Sequence, residues 1–403
     1  MATFTVTDIF RVHGDANNYN IRQGFGPAHA NTVVNDAIFD RTEPVPGPVD
    51  QGQHPVAFRF DANHIPLTVR GTCDFPVAAA NYRLRCTGPG NFQITSQSFN
   101  SGPGGANVVF TATVFSNGAL NPLSPFKVAG NWQWTMLRAA DNSTLAIAPT
   151  TRLEIYFLLG PHSHPGIFAT TFFLELLRLS APDYVTLAGL AAGALEARII
   201  HDIATRLWNT GVNGTPLYYD CRRGYGGASQ HILNGTEFNL ETVITKPPHR
   251  CTCNCYDLAC LVKLTVDSLG QRPGGGAFVA GVAVTYDRPF GYVPPGPLFG
   301  WQNSPAHINC NNPFWQNAGV GGADDPWNMA KDDARRQPFL SHCYTVFTNT
   351  AGQQRVIDIC HGNLNPVTNA VTLSDGVSDV QGYRATALDT PASNVFTITA
   401  LRV

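Results

Sequence analysis

Short runs of alternating apolar and polar residues recur about every ten residues over the first 160 positions, with Gly, Pro and Asn clusters between them. Such alternation puts successive side chains on opposite faces of a strand, and many short strands with regular turns are typical of an antiparallel β-sandwich. We therefore predict a β-sandwich domain over 51–160, preceded over 1–50 by an N-terminal extension and a Pro-rich spacer. The clearest alternating runs lie at 56–60, 66–71, 81–86, 92–99, 107–115, 131–137 and 151–159.

The pattern changes near residue 160. Helix-like periodicity covers 166–180 and 183–209, and a third helix is predicted from about Cys255 to Leu269, where Gly270 ends it. Strand-like runs follow, and helices followed by strands indicate an α+β domain, which we place over 161–403. These strand-like runs lie at 278–286, 343–348, 355–360 and 395–403.

Charge and hydropathy exclude two classes of partner. The chain has 26 Lys and Arg against 28 Asp and Glu, whereas proteins that bind nucleic-acid backbones carry a basic surplus. No stretch reaches the roughly 18–20 apolar residues of a membrane span, and the first residues lack the pattern of a signal peptide. We expect no nucleic-acid partner and no membrane association, and the cytoplasm is the favoured compartment.

Four of the ten cysteines lie between residues 251 and 260. Cys255 stands where the predicted apolar helix begins, and a helix N-terminus offers unsatisfied N–H groups and the positive end of the helix dipole. Both stabilise a thiolate, and the same N–H groups could hold an oxyanion. Cys255 is therefore the candidate nucleophile.

A nucleophilic cysteine needs a histidine and a group that orients it. His342 begins a strand pattern, and Asp358 lies inside the next apolar strand, with a turn-like segment between them. A carboxylate in an apolar strand is costly unless it is paired. If the two strands are antiparallel neighbours, Asp358 meets His342 and fixes the tautomer of its imidazole.

These elements together resemble the transglutaminase-like cysteine enzymes. Cys255 with Ala259 four residues on, then His342 at a strand start and Asp358 in the next strand, follow the order of the family pattern. Residues 197–209 and the Tyr-Asp stretch at 218–220 also resemble the region before the family's nucleophile. The resemblance covers about 185–365 and implies a papain-like α+β catalytic domain. The sequence departs from the pattern at Asn254, where a small glycine is usual, and at 343–344, where a tryptophan is usual.

The resemblance implies two-step acyl transfer on an amide or peptide carbonyl of a protein or peptide substrate, without a required cofactor. Cys255 attacks, His342 acts as base and then as acid, and Asp358 orients the imidazole. With water as acceptor the enzyme is a protease, amidase or deamidase, which we favour; with an amine it is a transglutaminase-type crosslinker or forms amide bonds. Three tryptophans before His342 are candidates for the substrate site: Trp301, Trp315 and Trp327.

Other interpretations stay open. The β-sandwich could bind a carbohydrate or a protein, with an inactive C-terminal domain. Paired aspartates at 324–325 and 332–333 could bind calcium. The cysteine cluster Cys251/Cys253/Cys260 could instead be structural, or could form a regulatory disulfide that masks the nucleophile. A zinc site is a further alternative, because thiolates and imidazoles are the usual zinc ligands. Its candidate ligands are His249, Cys251, Cys253, Cys255, Cys260, Cys310, Cys343, Cys360 and His361.

Overall fold

The computed structural model divides the chain into two compact units. The first comprises Met1–Pro161, Thr170–Leu177 and Ala181–Ala192, and the second comprises His162–Ala169, Arg178–Ser180 and Gly193–Val403. The structure describes residues 3–12, 18–22, 37–43, 53–59, 65, 67–75, 81–100, 105–116, 124–160, 171–187, 189–210, 217–219, 226, 228–232, 235–245, 252–270, 280–287, 298–300, 341–364, 368, 370–387, 395–398 and 401–402.

The first unit is built on one 13-stranded sheet with the strand order β13-β2-β4-β12-β10-β6-β7-β9-β5-β1-β3, in which β11 pairs with β10 and β8 with β6. Two pairs, β4–β12 and β2–β13, are parallel, so the sheet is not wholly antiparallel as the sequence predicts. The strands are β1 (Thr3–Arg11), β2 (Asn18–Arg22), β3 (Ala37–Asp40), β4 (Val56–Arg59), β5 (Leu67–Phe75), β6 (Asn81–Thr87), β7 (Gln93–Ser96), β8 (Phe99–Asn100), β9 (Gly105–Ser116), β10 (Phe126–Arg138), β11 (Thr144–Ile147), β12 (Thr151–Leu158) and β13 (Thr171–Phe173).

The segment 1–50, predicted as an extension and spacer, contributes three strands to this sheet. β1 pairs with β5 along its whole length, from Thr3 opposite Asp74 to Arg11 opposite Leu67. The apolar positions of β1 explain the pairing, since Phe4, Val6 and Ile9 are all buried. These residues therefore belong to the core of the β unit.

Strand β10 joins two parts of the sheet. Its first half, Phe126–Trp132, pairs with β12, and its second half, Gln133–Arg138, pairs with β6. Alternate residues along β10 are buried, among them Trp132 and Trp134, as expected where one face of a strand packs on a core. The indole N–H of Trp134 donates to the hydroxyl of Thr151 at 2.8 Å, which satisfies its buried polar group.

The second unit contains a five-stranded antiparallel sheet of order β21-β20-β19-β18-β22. The parallel pair β14–β17 and the sheet β15-β16-β23 complete its strands. Helix α5 packs against β18, β19 and β20, and α6 packs against β20. The remaining elements of the chain are α1 (Leu174–Ser180), α2 (Tyr184–Leu187), α3 (Ala192–Thr210), β14 (Tyr218–Tyr219), β15 (Ser229–Ile232), β16 (Gly235–Phe238), α4 (Leu240–Thr245), β17 (Thr252–Cys253), α5 (Cys255–Asp267), β18 (Ala280–Asp287), β19 (His342–Thr348), β20 (Gln354–Leu364), β21 (Val371–Asp375), α6 (Val380–Ala387), β22 (Val395–Ile398) and β23 (Leu401–Arg402). Of these, α2 and the first four residues of α1 belong to the first unit.

The predicted elements at 255–269, 278–286, 343–348 and 355–360 are confirmed. The helix predicted over 166–180 is shorter, because Thr171–Phe173 pair with β2 as a strand before α1 begins. The helix predicted over 183–209 is divided at Gly189, whose φ of +82° is outside the helical region. The strand predicted over 395–403 is also divided, since β22 pairs with β18 and β23 with β16. Within the described residues, no helix combines the length and the apolar character needed to cross a membrane.

Candidate active site

Cys255 is the first residue of α5, as the sequence predicts. The preceding Asn254 has extended backbone, and its side-chain oxygen accepts a hydrogen bond from the Asp257 N–H at 3.1 Å. In return, the Asp257 carboxylate accepts from the Asn254 N–H at 3.2 Å, which completes a capping box. This reciprocal pair fixes the helix start and therefore the backbone from which the Cys255 side chain projects.

Asp257 also holds a second segment at the helix start. Its carboxylate is buried and accepts a hydrogen bond from the Ala228 N–H at 3.3 Å. The same carboxylate thus joins the residues before β15 to the first turn of α5.

His342 and Asp358 lie on neighbouring antiparallel strands. The register of β19 and β20, with Thr345 opposite Ile357 and Val346 opposite Val356, continues to put Asp358 opposite Tyr344. Tyr344 is two residues from His342 and therefore shares its face of the strand. The His342 Nε2–H donates to Asp358 Oδ2 at 2.9 Å, and both side chains are almost fully buried (0% and 3% exposed). The structure brings these two predicted residues together.

The Asp358 carboxylate has three further partners. The Tyr383 hydroxyl donates to Oδ2 at 2.6 Å, and the Cys360 N–H donates to Oδ1 at 2.8 Å. His361 Nδ1 lies 3.4 Å from Oδ2. Burial alone would raise the pKa of Asp358, but the charge and hydrogen bond of His342, with help from His361, hold that pKa well below its usual range. The group is therefore an ionised carboxylate.

The side chains of Cys343 and His342 lie close enough to Cys255 to influence its ionisation. The hydrogen bond from Cys343 is the largest cause that lowers the pKa of Cys255 well below its usual value; it and the contact with His342 outweigh the opposing effect of burial. Burial also acts to lower the pKa of His342, but the charge of Asp358 and the contact with Cys255 outweigh it and raise that pKa to about 10. Both shifts favour a thiolate–imidazolium pair, the reactive form of a cysteine nucleophile.

An irregularity in β20 lies beside this pair. Asp358 is opposite Ser374 of β21, but Asn363 is opposite Thr372, so β20 has extra residues between the two pairs. Bulges of this kind re-aim side chains, and His361 lies within the irregular stretch. Gly362 follows it, and a Cβ there would lie 2.1 Å from a methyl carbon of Val371. The close approach of β21 therefore requires glycine at this position.

Two tyrosines that sequence reasoning did not select belong to the site. Tyr219 is buried on β14, pairs in register with Cys253, and its side chain lies near Cys255 and Cys360. Burial, followed by the nearby thiols, raises the pKa of Tyr219, so the phenol stays protonated. Tyr219 lies in the stretch that carries the family resemblance, whereas nothing in the sequence around Tyr383 signals its role.

Several predicted residues lie outside the described part of the chain. They are Trp301, Trp315 and Trp327, the aspartates Asp324, Asp325, Asp332 and Asp333, and the candidate ligands His249, Cys251 and Cys310. The cysteines that the structure describes are buried and are not joined in disulfides: Cys73, Cys86, Cys253, Cys255, Cys260, Cys343 and Cys360.

A group of metal-ligating side chains overlaps the candidate site. His342, Asp358 and Cys360 each offer one ligand atom, and these atoms lie within 4.8 Å of one another. The thiol of Cys360 and the imidazole of His342 are typical ligands of zinc, whereas calcium binds through oxygen atoms such as those of carboxylates. Among the described residues, the group is centred on β19 and β20 and not on the cysteines before α5.

No protein-family model matches the chain, and a search of curated proteins found no match.

Proposed function

We propose that this chain is a cysteine-dependent acyl-transfer enzyme that acts on an amide or peptide substrate, with water as the favoured acceptor. The observation that carries the proposal is the buried hydrogen bond between His342 and Asp358 beside Cys255, which begins a helix. The proposal includes a transglutaminase-like, papain-like arrangement of the second unit and a β-sandwich in the first. Sheet β18–β22 with α5 packed against it is consistent with that arrangement.

In the first step the Cys255 thiolate attacks the substrate carbonyl carbon. The C–N bond breaks as the tetrahedral intermediate collapses, and the His342 imidazolium gives its proton to the leaving amine. Because both pKa shifts favour the charged pair, His342 already holds this proton before the substrate arrives. The product of the step is a thioester on Cys255. Backbone N–H groups at the start of α5 would hold the oxyanion.

In the second step water attacks the thioester, and neutral His342 takes a proton from it. The C–S bond breaks, the acid product leaves, and the thiolate–imidazolium pair is restored. Asp358 stays ionised throughout and stabilises the imidazolium, as the carboxylate of a catalytic triad does. An amine that replaces water gives an amide product, the chemistry of a crosslinker.

The test is iodoacetamide labelling of the native, reduced protein at about pH 6, with each cysteine read by mass spectrometry. An ordinary thiol with a pKa near 8.5 is less than about 1% thiolate there. We expect Cys255 to react much faster than the other thiols, and His342→Ala to abolish this advantage. Cys86, whose pKa is raised by complete burial, is the internal comparator.

Uniformly slow labelling would contradict the proposal and would favour a binding module, with the first unit recognising a carbohydrate or protein. If Cys255 is selectively reactive, turnover of glutamine-containing peptides with and without a primary amine distinguishes the acceptors. Ammonia release without amine incorporation supports hydrolysis. Incorporation of the amine supports crosslinking. Cys255→Ser is the control that must lose either activity.

A further inference from the structure

We propose that His342, Asp358 and Cys360 bind a zinc ion, which replaces the proton between His342 and Asp358 and thereby removes His342 from its role as acid and base. The observation behind it is that an imidazole nitrogen, a carboxylate oxygen and a thiol sulfur lie within 4.8 Å of one another. All three side chains are buried, with exposed fractions of 0%, 3% and 0%. The site itself is independent of the proposed function; its inhibitory effect rests on that function.

The donor set suits zinc. Zinc takes imidazole nitrogen, thiolate sulfur and carboxylate oxygen at about 2.0–2.3 Å, usually in a tetrahedron. Two ligand atoms about 2 Å from a tetrahedral ion are about 3.3 Å apart. His342 Nε2 and Asp358 Oδ2, at 2.9 Å, need to separate only slightly to admit it. Three protein ligands leave a fourth position for water, and calcium or magnesium would not choose a sulfur ligand.

Zinc binding at this site exchanges protons for the metal ion without any transfer of electrons. Zinc displaces the proton on His342 Nε2 and the proton on the Cys360 thiol, so two protons leave as the ion binds and no electrons are transferred. The outer partners are already in place, because Tyr383 and the Cys360 N–H donate to the same carboxylate. Such hydrogen bonds orient metal ligands and support affinity.

The consequence for catalysis follows from the loss of the imidazolium. A His342 ring bound to zinc through Nε2 can give up its remaining proton only by becoming an imidazolate, so it no longer serves as the acid for a leaving amine or as the base for water. One Zn²⁺ replaces two protons, so the charge beside Cys255 is unchanged. Zinc binding at β19 and β20 would thus block turnover without touching the Cys255 sulfur.

The first experiment titrates the reduced full-length protein with Co²⁺ as a spectroscopic substitute for zinc. We expect one equivalent to bind with a thiolate-to-cobalt charge-transfer band, and Cys360→Ser to lose the band and weaken binding at least about tenfold. Cys260→Ser, the same change at a buried thiol outside the ligand set, should retain both. If Cys253→Ser removed the band and Cys360→Ser did not, the proposal would be wrong.

A second measurement needs no variant and therefore does not depend on how Cys360→Ser folds. X-ray absorption of the zinc-loaded wild-type protein should report one sulfur ligand at about 2.3 Å and nitrogen or oxygen ligands at about 2.0–2.1 Å. Two or more sulfur ligands, or no bound zinc, would overturn the site.

The inhibitory effect is tested separately by turnover of a glutamine-containing peptide with and without Zn²⁺. Turnover should slow at least about tenfold in the wild-type protein, and Zn²⁺ should leave the rate of Cys360→Ser unchanged. Zinc that binds by the cobalt and X-ray criteria but leaves wild-type turnover unchanged would overturn the inhibition alone. Slow iodoacetamide labelling of Cys255 without zinc would instead contradict the proposed function.

Discussion

Tyr383 of α6 and His342 of β19 donate hydrogen bonds to the same oxygen of Asp358, at 2.6 Å and 2.9 Å. A carboxylate oxygen that accepts from both is fixed in two directions, so the imidazole it orients has little freedom to turn. Tyr383 is therefore a positioning residue for His342, acting through Asp358.

Replacing Tyr383 by Phe removes one donor from a buried carboxylate and leaves the ring in place. We expect a loss of about 1–3 kcal/mol in the free energy of unfolding, measured by urea denaturation. A merely structural role would leave the pH profile of Cys255 alkylation unchanged, whereas a positioning role displaces that profile. An unchanged profile in a folded variant would contradict the assignment.

Replacing Asp358 by Asn removes the charge that holds His342 as an imidazolium. We expect a larger loss of stability, about 3–5 kcal/mol, because a buried cation loses its partner or must deprotonate. The pKa of His342 should fall and that of Cys255 should rise, so rapid alkylation near pH 6 should disappear. Wild-type alkylation at pH 6 in this variant would show that Asp358 does not support the thiolate.

The two coupled pKa shifts predict how stability changes above neutral pH. His342 is raised to about 10, so its contribution is complete below an unfolded pKa of about 6.5 and is lost as pH rises towards 10. Cys255 is lowered, so its contribution grows until pH reaches an unfolded pKa of about 8.5. Between these two unfolded-state pKa values, the contribution of His342 to stability falls as pH rises while that of Cys255 grows, so the two oppose each other.

Urea denaturation at pH 7, 8.5 and 10 measures this balance. Wild-type stability should change little up to about pH 8.5 and then decline, by up to about 1.4 kcal/mol per pH unit. In Cys255→Ala, the decline should begin at lower pH because the opposing contribution is absent. Identical pH curves for the two proteins would show that Cys255 does not carry a lowered pKa.

Gly362 gives a test of how closely β21 approaches β20. Ala at this position would put its methyl group against a methyl carbon of Val371, a distance that real contacts do not reach. We expect Gly362→Ala to destabilise the protein by about 1–3 kcal/mol, as overpacking does. Adding Val371→Ala should recover much of the loss. If the double variant is as unstable as Gly362→Ala, the contact with Val371 is not the cause.

The capping box at α5 predicts a small and specific effect. Asn254→Ala removes the acceptor for the Asp257 N–H and should cost about 0.5–2 kcal/mol of stability, measured by thermal or urea unfolding. Asn254→Ser retains a capping oxygen and should lie close to wild type. An equal loss in both variants would point to packing of the side chain and not to its cap.

Much of the candidate site was predicted from local patterns in the sequence. Cys255 at a helix start and His342 at a strand start follow from periodicity and turn signals, and a short hairpin-like connection predicts that Asp358 meets His342. Tyr383 lay beyond such reasoning, because its approach to Asp358 depends on how α6 packs against β20. The closeness of Cys360 to the pair likewise depends on strand register, which a single strand pattern does not define.

The fold was predicted less completely for the same reason. Alternation identified most of the strands in the first unit but not their partners, so the parallel pairs β4–β12 and β2–β13 and the membership of β1 in the sheet were missed. The residues Thr171–Phe173 lie next to a helix and resemble one locally. Their pairing with β2 overrides that preference, as tertiary contacts commonly do.

Strand β10 connects the two parts of the sheet in the first unit, so neither part is complete without the other. The two halves of β10 pair with β12 and β6 respectively. If one part of the sheet is produced without the other, the half of β10 that has lost its partner strand exposes unpaired backbone N–H and C=O groups. Bare edges recruit strands from other molecules. A fragment of the chain that ends anywhere within 126–138 should therefore precipitate or be degraded.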